Sequence, residues 1–159
     1  MTSPAHQRHS PPLLPAALFV IAVVGTGLLI GTLTRPGDWY AGLAKPAFTP
    51  PPWVFGPAWT VLYIMIAIAG WRVWRASPGG AAIRLWVMQM ALNWLWSPAF
   101  FGLEMPWLGL AIIVALLAAI LAFIGKAWGC DRPAAWLFVP YAAWVAFATT
   151  LNGSIAVMN

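Results

Sequence analysis

At 159 residues the chain has the length of one domain, but 62% of its residues are hydrophobic and 7% charged, against roughly 45–50% and 25% in a typical globular protein, which excludes an ordinary soluble fold. Eight Lys and Arg against three acids leave a net charge of +5. The positive residues sit at the ends of apolar runs and form no cluster interleaved with exposed aromatics, so they read as membrane-topology signals and no nucleic-acid partner is expected.

Residues 1–12 form a Pro- and Ser-containing tail, expected to be disordered. Its His6 and His9 are not placed to ligate a buried metal or haem iron. Leu13 to Leu33 is the first apolar run, about the 20 residues that cross roughly 30 Å of hydrocarbon, and the first expected helix covers about 13–34. A signal peptide is the alternative after a tail carrying Arg8, but the run exceeds the usual core of roughly 7–15 residues and continues into Arg35. Gly27 and Gly31 form a GxxxG pair, suited to close approach of another helix, within the bundle or across a dimer.

The stretch from Asp38 to Tyr63 holds three tryptophans, two tyrosines, two phenylalanines and five prolines. Pro46, Pro50, Pro51, Pro52 and Pro57 forbid a regular helix or central strand across most of it. Each buried ring is worth roughly 1.5–3 kcal/mol, so the loop packs on the bundle or on a ligand.

The second expected helix covers about 56–76, with Pro57 in its first turn and Arg72 and Arg75 near its end. Ser77 to Gly80 form a short turn, which makes the third helix, about 81–103, antiparallel to the second. On it Gln89, Asn93 and Ser97 recur every four residues on one face, and Pro98 should kink its C-terminal end. Glu104 and Pro106 precede a fourth helix of Leu, Ile and Ala, about 106–128; Pro133 opens a fifth, about 133–157. Residues 13–159 thus read as one all-α, five-helix membrane domain.

Five spans put the termini on opposite sides. Arg8, Arg72, Arg75, Arg84, Lys126 and Arg132 fall on one side and Arg35 and Lys45 on the other. The charge rule then places the N-terminus in the cytoplasm and the aromatic loop away from it.

A single cysteine, Cys130, excludes an internal disulfide and any Cys-based zinc or iron–sulfur site. Asp38, Glu104 and Asp131 all lie in loops, and no Asp, Glu, Lys, Arg or His sits in the middle of a span. That weakens an ion-coupled pump and removes paired-carboxylate catalysis and a Ser/His/Asp triad. What remains is aromatic and neutral polar: Trp59, Thr60 and Tyr63 on the second helix; Gln89, Asn93, Trp94, Trp96 and Ser97 on the third; Tyr141, Trp144, Ala148 and Asn152 on the fifth. The last four recur at intervals of three, four and four, the spacing of an inward stripe. Such faces suit a large, flat, mostly apolar ligand held by stacking and a few hydrogen bonds. The bland reading of Gln89 and Asn93 is interhelical hydrogen bonding that locks the bundle; that of Trp71, Trp74, Trp107 and Trp128, near span ends, is an interfacial belt. Tyr63 and Tyr141 fit either role.

Three segments, WYAGLAKPAFTPPPWVFGPAWTVLY from Trp39, QMALNWLWSPAFF from Gln89 and PYAAWVAFATTLN from Pro140, resemble the TspO/MBR family in order and spacing. That family comprises bacterial tryptophan-rich sensory proteins and the mitochondrial translocator protein, or peripheral benzodiazepine receptor. The resemblance implies a five-helix bundle, often a homodimer, with the loop between the first two spans as a lid over a pocket that takes porphyrins, haem and benzodiazepine-receptor ligands. Carried over by motif, the pocket includes Trp39, Trp53, Trp59, Tyr63, Asn93, Phe100, Trp144 and Ala148. In some bacterial members the tryptophans matching Trp59 and Trp144 are linked to light-dependent breakdown of protoporphyrin. The expected partners are membrane lipid, a porphyrin-type ligand and a second copy of the chain; no resident cofactor or metal is required, and protoporphyrin IX or haem is the expected ligand.

Two departures stand out. After Leu151 no Lys or Arg follows to the end of the sequence, so cholesterol binding through the family's mitochondrial motif is not expected. Phe48 stands where many members have Trp, which softens stacking in the lid. The leading expectation is a membrane protein that senses, sequesters or transports porphyrin intermediates. The alternatives are light-dependent porphyrin degradation by Trp59 and Trp144, and a scaffold whose pocket accepts flat molecules adventitiously. Helical spans favour the inner membrane, and the resemblance leaves the outer one open.

Overall fold

A computed structural model describes residues 13–159 and is all-helical over them, with no strand among the described residues. The tail over 1–12, with His6, His9 and Arg8, lies outside the described residues. Six α-helices follow one another: α1 Leu13–Leu33, α2 Asp38–Gly42, α3 Phe55–Ala76, α4 Ala81–Ser97, α5 Pro106–Cys130 and α6 Arg132–Met158. Four of them, α1, α3, α5 and α6, are long and apolar enough to cross a membrane. Helix α4 has 17 residues, short for a span by itself, and is continued by a π turn over Pro98–Gly102.

Proline sets most boundaries. Pro98 has no N–H to donate and its ring crowds the preceding turn, so the regular ladder gives way there. The Leu103 amide donates instead to the Pro98 carbonyl five residues back, at 2.8 Å. Glu104, at φ 57°, is the one non-glycine residue in the left-handed region among the described residues and ends the turn. Between α2 and α3 the proline-rich chain makes only a short 3-10 turn, Pro52–Val54.

Helix α6 packs on α5 and α3, α5 packs on α4, and α1 lies mainly against α3. Lipid tails are as apolar as Leu, so close packing and hydrogen bonds must hold these contacts. Small residues supply the closeness. Gly70 lets the Trp86 ring lie on the α3 backbone, where a Cβ would collide with it; Trp86 Nε1 donates to the Ile66 carbonyl at 2.9 Å. Gly27 on α1 gives the same clearance to the Tyr63 ring, whereas Gly31 has no neighbouring atom within contact of a Cβ. The GxxxG pair therefore contributes one packing residue to the bundle, not two.

The rest of α1 is mostly apolar, and Val23 is its one buried hydrophobic side chain among the described residues. Thr26 and Thr32 bond carbonyls of their own helix, which satisfies the hydroxyls without outside partners, as a helix in lipid requires. Asp131 joins two helices at one end of the bundle: its Oδ1 accepts from the Ala134 amide at 2.8 Å as the α6 N-cap and from Arg72 Nε at 3.0 Å. At the other end the Asn159 side chain bonds both the amide and the carbonyl of Ala44, at 3.0 and 3.1 Å, and anchors the loop after α2.

Candidate functional site

Three helices aim neutral polar groups at one another in the core. Tyr63 Oη on α3 donates to Asn93 Oδ1 on α4 at 2.8 Å. Asn93 Nδ2 donates to Tyr141 Oη on α6 at 2.9 Å, and Tyr141 donates in turn to Gln89 Oε1 at 3.0 Å. Gln89 Nε2 ends the chain on the Trp86 carbonyl at 3.0 Å. All four side chains are buried. Both Asn93 side-chain atoms are engaged inside the protein, so the network holds the bundle together and presents a neutral wall. Each such interhelical bond is worth about 0.6–2 kcal/mol.

Aromatic rings cover that wall. Trp59 lies over Tyr63 with ring centroids 5.4 Å apart and meets Tyr141 edge-on at 6.3 Å. Trp144, half-buried one turn along α6 from Tyr141, packs on Phe55 at 5.9 Å and Phe147 at 6.0 Å. An apolar groove of ≈ 430 Å³ opens between α3 and α6, lined by Pro57, Ala58, Val61, Leu62, Met65, Pro140 and Trp144. The Nε1 groups of Trp144 and of Trp94 are buried and find no acceptor among the described residues. A buried indole N–H ordinarily has one.

The loop packs against the same end of the bundle in two halves. Trp39 and Tyr40 on α2 sit edge-on against Phe100 of the π turn, at 5.8 and 6.2 Å, and Phe100 stacks on Trp96. Phe48 meets Phe147 at 6.2 Å, and Phe55 reaches Trp144. Lys45 Nζ bonds the Ala41 and Leu43 carbonyls and lies 4.7 Å from the Tyr40 ring centre. Partial burial pushes the Tyr40 phenol above its ordinary pKa.

Of the residues carried over by motif, Trp59, Tyr63, Trp144 and Ala148 share the main core cluster, and Asn93 joins it by its hydrogen bonds. Trp39 and Phe100 belong to a second cluster with Leu151 and Ile155. Trp53 is 75% exposed and joins neither. Phe55, Pro140 and Phe147 border the site without having been singled out from the sequence. Phe147 lies three residues after Trp144 on one helix, a spacing that offered a signal; Phe55 had none, because the fold of the loop brings it in. Asn152 instead ties three helices, accepting from Trp96 Nε1 at 3.1 Å and donating to the Pro106 carbonyl at 2.9 Å.

The model of the TspO/MBR family matches residues 17–158. The chain is 37% identical over 148 residues to the tryptophan-rich protein TspO of Archaeoglobus fulgidus, covering 92% of this chain and 96% of that one. It is 38% identical over 138 residues to the tryptophan-rich sensory protein of Cereibacter sphaeroides, covering 86% and 87%. To the human translocator protein it is 39% identical over 153 residues, covering 90% and 89%.

Proposed function

The chain belongs to the TspO/MBR family and is an integral, multi-pass membrane protein; from that premise we infer that it binds a tetrapyrrole, a porphyrin or haem, and senses, sequesters or transports porphyrin intermediates. The observation that carries this reading is the half-buried Trp144 side chain on the wall of the apolar groove, whose Nε1 is buried and lacks an acceptor among the described residues. A flat, apolar ligand bearing a hydrogen-bond acceptor answers both features, and the groove has the size of a small-molecule site, roughly 300–1,000 Å³. Trp59, Trp144 and Ala148 are the contact residues, Tyr63, Asn93 and Phe100 shape the wall behind them, and Trp39 and Trp53 ride on the loop as a lid.

In this reading α4 with its π turn is the fifth span, short because the turn carries the chain the remaining distance. The basic ends of α3, α5 and α6 then face the cytoplasm with the N-terminus, by default from the inner membrane, and the working unit is a homodimer. A second reading, light-driven porphyrin breakdown with Trp59 and Trp144 as electron donors, is favoured by the ring contacts of Trp59 with Tyr63 and Tyr141.

Titration of the purified protein with protoporphyrin IX in the dark, followed by tryptophan fluorescence quenching, tests the binding reading. Saturable binding at roughly micromolar concentration that Ala148→Leu weakens supports it; unsaturable quenching, the same in both proteins, leaves a scaffold. Illumination then separates the second reading. Light-dependent loss of porphyrin absorbance that disappears in Trp59→Phe and Trp144→Phe is its signature.

A further inference from the structure

The opposite end of the bundle carries a site of different chemistry. A groove of ≈ 260 Å³ lies between the last turn of α3 and the start of α6, lined by Trp71, Arg72, Arg75, Ala76 and Asp131. The antiparallel path of the helices brings Arg72, Arg75, Arg84, Lys126 and Arg132 to this end, where Asp131 is the one carboxylate; Asp38 and Glu104 lie at the other.

Asp131 does not consume the charge. It meets Arg72 through Nε alone, and the oxygen it uses already accepts the Ala134 amide. The two η nitrogens of Arg72 have no acceptor among the described residues, and its side chain is 36% exposed. Arg75 pairs with no carboxylate among the described residues; its guanidinium lies 5.0 Å over the Trp71 ring, which holds it at the groove edge. A guanidinium fork with free donors matches the oxygens of a phosphate.

Depth decides what brings the phosphate. Trp71 and the exposed Trp74 mark the end of an apolar span, the level at which tryptophans meet lipid headgroups. We propose that this groove binds the phosphate of an anionic phospholipid, with Arg75 and the η nitrogens of Arg72 as donors and the acyl chains running down the outside of α3. The site lies at the far end of α3 from Trp59 and does not depend on tetrapyrrole binding.

The test uses the full chain, delipidated in a neutral detergent and titrated with phosphatidylglycerol, phosphatidylcholine or inorganic phosphate, with native mass spectrometry counting bound lipid. The expected result is saturable phosphatidylglycerol binding that Arg75→Gln weakens roughly five- to tenfold and that Lys126→Gln, a charge change at the same end but off the groove, leaves unchanged. Arg75→Gln spares the Arg72–Asp131 pair, so loss of fold does not stand in for loss of binding. Equal affinity for phosphatidylcholine, or equal losses in the two variants, overturns the site. Inorganic phosphate binding as tightly as phosphatidylglycerol overturns the assignment to lipid.

Discussion

Two layers of the bundle lie one side chain apart and obey opposite rules. In the Tyr63–Asn93–Tyr141–Gln89 chain every side-chain nitrogen and oxygen has a partner inside the protein. In the aromatic layer outside it, Trp144 keeps a buried N–H without an acceptor, and Trp53 stands largely exposed. A membrane interior cannot supply water to an unmet polar group, so a closed network is what a structural wall requires. A donor left without an internal partner in the adjoining layer is one that a ligand entering that layer could satisfy. Polar residues that look alike as candidates in the sequence thus divide by whether their hydrogen bonds are already spent.

Substitutions should separate the layers. The largest effect is expected at Gly70→Ala, where the added Cβ collides with the Trp86 indole and displaces its bond to Ile66. A loss of about 2–3 kcal/mol in unfolding free energy, read in mixed micelles against denaturant, is expected. Asn93→Leu strips partners from both Tyr63 and Tyr141 and should cost about 2 kcal/mol in the same assay. Trp144→Phe inverts the pattern: its indole nitrogen has no internal bond to lose, so stability should move by under about 1 kcal/mol while porphyrin affinity falls roughly tenfold. The smallest effect is expected for Trp53→Ala, within about 0.5 kcal/mol in stability, because an exposed ring leaves no cavity behind. A drop at Trp53 as large as that at Asn93 would mean the loop is as much a part of the core as the wall is.

The helices were legible because bilayer thickness demands long apolar runs, and four helices meet that demand. The shared face of Gln89 and Asn93 was equally legible from their four-residue spacing, though spacing could not say whether they hold the bundle or a ligand. Gly27 and Gly31 were alike in the sequence, but within the chain only Gly27 has a packing partner, because α1 meets α3 along a narrow strip. The loop was the least legible part. Its course depends on the clamp between Asn159 and Ala44, 115 residues apart, and on rings of α6 that local sequence cannot position. Trp53 therefore shares a motif with Trp39 but not its place against Phe100. Of the span-end tryptophans, Trp74, Trp107 and Trp128 are exposed as a belt requires, while Trp71 has its indole nitrogen buried and Arg75 laid over its ring.

The most direct measurement compares wild type with Trp144→Phe by thermal unfolding in micelles, each with and without protoporphyrin IX in the dark. The account predicts nearly equal midpoints without porphyrin, a clear rise for wild type with it, and a much smaller rise for the variant. Equal rises would contradict a binding role for the open indole and return the aromatic layer to the same structural status as the wall behind it.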